Sequence, residues 1–188
     1  MFKAFLSALI MIFLTCYPFI VYIGLTRFNS YLLTVILLTL LIIRLWLSKP
    51  LLAKMPWIKP ASLLGILAIG LSKMMGSDFG IRLYPVIVNT VMFFVFAYSL
   101  YKGPSIIETF ARITEPKLDK RAISYTKNVT KIWCVFFVFN ASIALYTSVF
   151  TSLNVWTFYN GFIAYIIMGV LFAVEWLVRK KVKRNAGV

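Results

Sequence analysis

A small set of polar side chains stands inside long apolar runs, and these are the places where this chain could do chemistry. Tyr84 and Asn89 follow Arg82 at two and seven residues. Trp133, Asn140 and Thr147 recur at intervals of seven, with Tyr146 beside the last of them. Trp156, Tyr159 and Asn160 open the final apolar run. Side chains of these types in hydrocarbon either hydrogen-bond a ligand or tie one helix to another, at ~0.6–2 kcal/mol per bond. The seven-residue interval puts Trp133, Asn140 and Thr147 on one stripe of a helix. We expect Arg82, Tyr84, Asn89, Asn140, Tyr146 and Asn160 to line one polar pocket, with helix pairing as the alternative. Trp133 is a further candidate, although it and Trp156 also suit an interfacial aromatic belt. Asp78, four residues before Arg82, is expected to pair with it.

Catalytic chemistry is thinner. The chain has no histidine, which removes His-box, His-phosphatase and H-E-x-x-H zinc chemistry. Of its five carboxylates, only Glu115 and Asp119 share a helical spacing, and lysines flank them. Cys16 and Cys134 both lie in apolar runs, so neither a disulfide framework nor a Cys/His zinc site is expected. Lys131, three residues before Cys134, could activate that thiol; an inert buried cysteine is the plainer expectation. No metal and no cofactor are expected, and the balance lies against an enzyme.

The elements that must position these groups follow from composition. The chain has 188 residues, 62% of them apolar, a mean hydropathy of +0.91 and a formal charge of +15. Soluble domains are roughly 45–50% apolar. The combination excludes a secreted enzyme, a disulfide scaffold and a disordered basic tail, and it argues against a nucleic-acid binder. We expect an all-α polytopic membrane protein forming one domain over residues 1–188. A crossing needs ~20 apolar residues. Six segments approach that length, at about 4–25, 30–48, 60–75, 83–101, 129–150 and 155–178. The third is short and carries Lys73 near its end, so hydropathy alone also allows a re-entrant segment. The first has no small-residue cleavage site and is expected to remain as an anchor.

Charge favours six crossings. With six, 16 of the 20 basic residues fall on one side: Lys3, three between spans two and three, seven in the loop 102–128 and the start of the fifth helix, and five in the tail 179–188. Lys and Arg concentrate in cytoplasmic loops, so both termini are expected in the cytoplasm. Arg44, about one turn from the cytoplasmic end of span two, is expected to snorkel to the headgroups. Glu175 and Arg179 form an i,i+4 pair. Within the loop, Ser105-Ile-Ile-Glu108 reads as a capping box. It opens a short interfacial helix near 105–113, with Ile106, Ile107, Phe110 and Ile113 on one face and Glu108, Thr109 and Arg112 on the other. Basic residues there attract anionic lipid headgroups. Gly161, Gly169 and Ala173 are small residues at multiples of four, suited to close helix contact.

Two family resemblances rest on particular residues. Trp133-x2-Phe136-Phe137-x7-Leu145-Tyr146-x9-Trp156, with Arg82 and Pro85 upstream, resembles the intracellular septation protein A (YciB-like) family of bacterial inner-membrane proteins over about residues 80–175. A second set covers nearly the whole chain: Tyr17-Pro18, Tyr22-x-Gly24-Leu25, Arg82-Leu-Tyr-Pro-Val-x-Val-Asn89, Pro104-Ser-x-Ile-Glu108, Tyr125-Thr126, Trp133-Cys134, Ala144-Leu-Tyr146 and Trp156-x2-Tyr159-Asn160-Gly161. It resembles an uncharacterised bacterial inner-membrane family often encoded with aryl-polyene or fatty-acid-synthase-like genes. These likenesses imply a role in cell-envelope biogenesis, handling lipid-linked products alongside other envelope membrane proteins, and they supply no catalytic residues. A small lipid exporter acting as a homodimer is the alternative, followed by a lipid-modifying enzyme without a recognisable motif. The loop between spans four and five is longer and more basic than in the septation-like family.

Overall fold

The computed structural model describes residues 16–47 and 58–185. The start of the first expected span, Lys3, Lys49, Lys54 and the last three residues of the tail lie outside the described residues. The described chain is all-helical, with no strand among the described residues. In order it runs α1 (Tyr17–Arg27), α2 (Ser30–Leu47), α3 (Ile58–Met74), α4 (Phe79–Arg82), α5 (Tyr84–Lys102), α6 (Ile106–Thr114), α7 (Lys120–Phe150), α8 (Leu153–Phe158), a π-helical turn (Tyr159–Ile163) and α9 (Ala164–Asn185). Three stretches are long and apolar enough to cross a membrane: Tyr84–Lys102, Lys120–Phe150 and Leu153–Lys180. The described part of α3 has 17 residues.

Proline chemistry organises the centre. Pro85 has no N–H, so it cannot satisfy the carbonyl of Ile81 four residues earlier. The Tyr17 hydroxyl donates to that carbonyl from α1. The adjacent carbonyl, of Arg82, accepts from Ser148 Oγ at 2.9 Å and from Trp156 Nε1 at 3.1 Å. The break between α4 and α5 is therefore the point where α1, α7 and α8 are fastened together.

Packing divides into two clusters. One gathers Tyr17, Val21, Leu33, Leu37, Leu41, Ile69, Ile81, Tyr84 and Trp156, from α1 to α5 and α8. The other gathers Phe96, Val129, Trp133, Cys134, Phe136 and Phe137, with Ile106 and Met168 against it, from α5, α6, α7 and α9. Helices α5 and α7 run antiparallel through both levels. Arg82 meets Thr147 and Thr151, Asn89 meets Asn140, and Phe96 meets Phe137. Helices α2 and α3 form a hairpin whose ends are joined where Lys73 Nζ donates to Ser30 Oγ at 2.7 Å and to Asp78 Oδ1 at 2.9 Å. No α2 or α3 residue belongs to the second cluster.

Gly80 sits where α4 folds back on α3. A Cβ there would overlap the Ala68 carbonyl and crowd Ser72, and backbone cannot yield as a side chain can. Gly→Ala in an open helix stabilises by restricting the unfolded chain; here the sign reverses. We expect Gly80→Ala to cost ~1–3 kcal/mol through overpacking. In a detergent thermal melt this should read as a midpoint lower by several degrees. An unchanged or raised midpoint would show that α4 does not sit this close to α3.

The loop helix forms as expected, but Glu108 turns inward. Ser105 Oγ accepts from Glu108 N, which is half of the capping box. Gly103, at φ +58°, closes α5 in the left-handed region that favours glycine. Glu108, expected on the outer polar face, is instead 4% exposed, while Ile113 is 75% exposed. The reason is electrostatic. Arg112 Nε and Nη2 bond Glu108 Oε1 at 3.0 and 2.7 Å, and a carboxylate neutralised in this way can turn inward. Ile113 and Phe110 are left on the outer surface of α6, where an interfacial helix would meet lipid.

Candidate functional site

The deepest polar structure is a relay of uncharged groups between α5, α7 and the π turn. Asn89 Nδ2 donates to the Pro85 carbonyl at 2.8 Å, and this fixes the amide so that Oδ1 faces α7. Asn140 Nδ2 donates to that oxygen at 3.0 Å, and Asn140 Oδ1 accepts from the Tyr159 hydroxyl at 2.8 Å. Each amide's orientation follows from the one before it, beginning at a carbonyl that can only accept. Asn160 Nδ2 donates to the Trp156 carbonyl at 2.9 Å and to Thr147 Oγ1 at 3.3 Å. Asn89, Asn140 and Asn160 are all buried.

These asparagines share the wall of a cavity of about 240 Å³ with Tyr17, Tyr84, Tyr165 and Met168. That is several times a water's ~30 Å³ share of liquid volume and below the ~300–1,000 Å³ of drug-sized ligand pockets. The space suits part of a molecule, such as a headgroup or a short length of chain. Among the described residues no group of three or more His, Cys, Asp or Glu side chains could hold a metal. Cys134 is buried while Lys131 is exposed, so the thiol sits in the aromatic cluster away from that lysine.

The structure brings Tyr84, Asn89, Asn140 and Asn160 to this cavity and leaves other expected members elsewhere. Tyr146 is 58% exposed and packs on Phe150. Arg82 does not pair with Asp78. Its Nη2 donates at 2.8 Å to the carbonyls of both Thr147 and Thr151, where α7 ends and its last carbonyls need donors. Asp78 pairs with Lys73 instead, because the end of α3 lies nearer to it. Trp133 is buried among Phe136, Phe137 and Phe172, and Trp156 is wholly buried; neither is an interfacial anchor. Of the small residues, Gly161 is in close contact, since a Cβ there would come 2.9 Å from the Phe19 ring, but nothing among the described residues approaches Gly169, and Ala173 is exposed.

Residues outside the expected pocket set complete the arrangement. Tyr159 reaches Asn140 because the π turn changes the helical phase between α8 and α9. A second crevice, about 330 Å³, lies between α6, α7 and α9, walled by Phe110, Ala111, Tyr125, Val129, Trp133 and Phe172 among others. At its edge Glu175 holds Arg179 through two bonds, at 3.0 and 2.7 Å, and accepts from the Tyr125 hydroxyl. The Glu175–Arg179 pair is as expected from the sequence.

No known family model matches the chain, and neither the curated proteins nor the solved structures contain a detectable relative.

Proposed function

We propose that this chain is a non-enzymatic protein of the bacterial inner membrane that holds part of a lipid-like amphiphile in the asparagine-lined cavity. In this proposal it handles lipid-linked products during envelope biogenesis, spans the bilayer six times and keeps both termini in the cytoplasm. The observation that carries the reading is the character of that cavity wall. It offers amide and hydroxyl groups but no acid, no metal-ligand cluster and no paired nucleophile and base. Such a wall binds and orients without supplying a route for a proton or a leaving group. The asparagines also have capacity beyond the bonds that tie the helices, since each amide carries two donor hydrogens and two acceptor lone pairs. The two sequence likenesses support the envelope setting.

The test is Asn140→Leu in the full-length chain. We expect lipid-like material co-purifying in the cavity to fall at least tenfold, while folding loses only the ~0.6–2 kcal/mol of an interhelical bond. Unchanged occupancy, together with a normal envelope and normal expression, would reduce Asn140 to a helix tie and end this proposal.

A further inference from the structure

We propose that the crevice between α6, α7 and α9 binds a single-chain anionic amphiphile, of the fatty-acid class, which enters tail-first from the aqueous side of the membrane. The inference rests on α7 and α9 crossing the bilayer, as proposed above, but it does not need the asparagine-lined cavity to be occupied. Phe137 belongs to the wall of that cavity and Trp133 to the wall of the crevice. Their rings, with centroids 5.8 Å apart, stand between the two spaces.

The first observation is depth. Helix α7 has 31 residues, about 46 Å, against a hydrocarbon core of ~30 Å. Counted back from Phe150, ~30 Å of helix ends near Lys131, whose exposed side chain fits a boundary with water. Counted on from Leu153, the same length ends near Phe172. The two counts are independent and they meet, since the Trp133 and Phe172 rings pack with centroids 4.6 Å apart. Those rings form one end of the crevice. From there its α7 wall runs through Val129, Thr126 and Tyr125 to Ala122, about 16 Å of helix that lies beyond the core. Ile107, Phe110 and Ala111 of α6 and Glu175 and Arg179 of α9 make the other walls, all of them described residues. The apolar end therefore faces the bilayer and the polar rim faces away from it. A phospholipid keeps its headgroup near the core boundary, so its chains run the wrong way to fill this slot. Lifted far enough to enter, a two-chain lipid would leave its second chain in water.

Size and charge identify the occupant. The crevice has a volume of about 330 Å³. A methylene fills about as much space as a liquid water, ~30 Å³, so there is room for about eleven carbons. An extended chain of that length, with ~1.5 Å bonds at tetrahedral angles, spans about 13 Å, which the slot accommodates once and not twice. At the rim, Glu175 Oε1 and Oε2 accept from Nε and Nη2 of Arg179 at 3.0 and 2.7 Å, and Oε1 also accepts from the Tyr125 hydroxyl at 3.3 Å. These bonds fix the guanidinium while engaging only two of its five N–H donors, and the side chain is half exposed. Across residues 112–121 and 175–180, six basic side chains stand against three acidic ones, so the field at the rim attracts an anion. An acyl chain that ends in a carboxylate matches both the apolar slot and its cationic mouth.

The experiment uses the full chain in phosphatidylcholine nanodiscs and dodecanoate carrying a terminal diazirine, with the photolabel mapped by mass spectrometry. We expect label on Val129 and Trp133, which are buried, rather than on Ile132 and Val135, which are exposed. Unlabelled alkanoates at fixed free concentration should compete about fourfold better per added methylene, levelling off once the slot is full at about eleven carbons. Dodecyltrimethylammonium should compete at least tenfold more weakly than dodecanoate. Val129→Trp should lower the label on Trp133 at least tenfold. If that variant does not fold, Ala111→Trp, which fills the crevice from α6, decides in its place. Asn140→Leu should leave the label unchanged, so this site and the cavity fail separately. Label confined to Ile132 and Val135, or competition that still climbs steeply from dodecanoate to hexadecanoate, would mean partition into the bilayer and would overturn the proposal. Undiminished label in the tryptophan variants or equal competition by the cation would overturn it too. So would displacement by a few mole per cent of phosphatidylglycerol, because a bilayer lipid would then be the occupant.

Discussion

Truncating Trp156, the largest fully buried side chain among the described residues, to alanine is expected to destabilise the protein by about 3 kcal/mol. Trp156 is wholly buried, and its indole N–H reaches both the Arg82 carbonyl and Ser148 Oγ, each at 3.1 Å. In water-soluble cores Trp→Ala costs ~3–5 kcal/mol. Part of that is transfer out of water, which a lipid-embedded helix does not recover, because lipid tails are as apolar as the core. The cavity and the lost contacts remain, and they set the lower end of the range. Trp156→Phe keeps most of the volume and loses the N–H. Since Ser148 still serves the Arg82 carbonyl, about 1 kcal/mol is expected from that change. Equilibrium unfolding of both variants in mixed micelles separates packing from hydrogen bonding. Equal costs for the two would mean that the indole N–H carries the site and that the volume is unimportant.

Where side-chain period decides position, the sequence is a good guide. Trp133, Asn140 and Thr147 are all buried on α7, as intervals of seven require, because seven residues return to within ~20° of the starting direction. The same arithmetic explains Tyr146. Six residues from Asn140 is about 240° around the helix, so its exposure is a consequence of period that the chemical appeal of a tyrosine obscured. Other features have no local signal. The partners of Arg82 are backbone carbonyls 65 and 69 residues away, and carbonyls leave no mark in a sequence. The nearby Asp78 offers a visible partner and draws attention from the true one. The π turn that brings Tyr159 to Asn140 resembles any other stretch of apolar helix. The seating of α3 against α4 and α5 depends on the fit of Gly65 to Tyr84 and of Gly80 to Ala68, a matter of shape rather than of hydropathy. Hydropathy counts helices and leaves their relative heights open.

Arg82 provides the second large effect, and a direct contrast between the expected ion pair and the observed cap. Arg82→Met keeps the length and apolar stem of the side chain while removing both bonds to the end of α7. Hydrogen bonds to a charged donor contribute ~1.5–3 kcal/mol each, and a cation at a helix C-terminus adds ~0.3–1 kcal/mol through the helix dipole. Thr147 O retains Thr151 Oγ1 as a donor, which offsets part of the loss. A net cost of about 3 kcal/mol is expected for Arg82→Met. Arg82→Lys keeps the charge but replaces the fork with a point and should fall between wild type and Met. Asp78→Asn is the discriminating control. An Asp78–Arg82 pair would make its cost comparable to that of Arg82→Met and would leave the double variant no worse than either single change. With Arg82 on α7 and Asp78 on Lys73 at 2.9 Å, where the aspartate is partly exposed, Asp78→Asn should cost ~1 kcal/mol or less. The two changes should then add, because they act on different helix ends. Strong coupling between them in a double-mutant cycle would restore the ion pair and remove the cap from this fold.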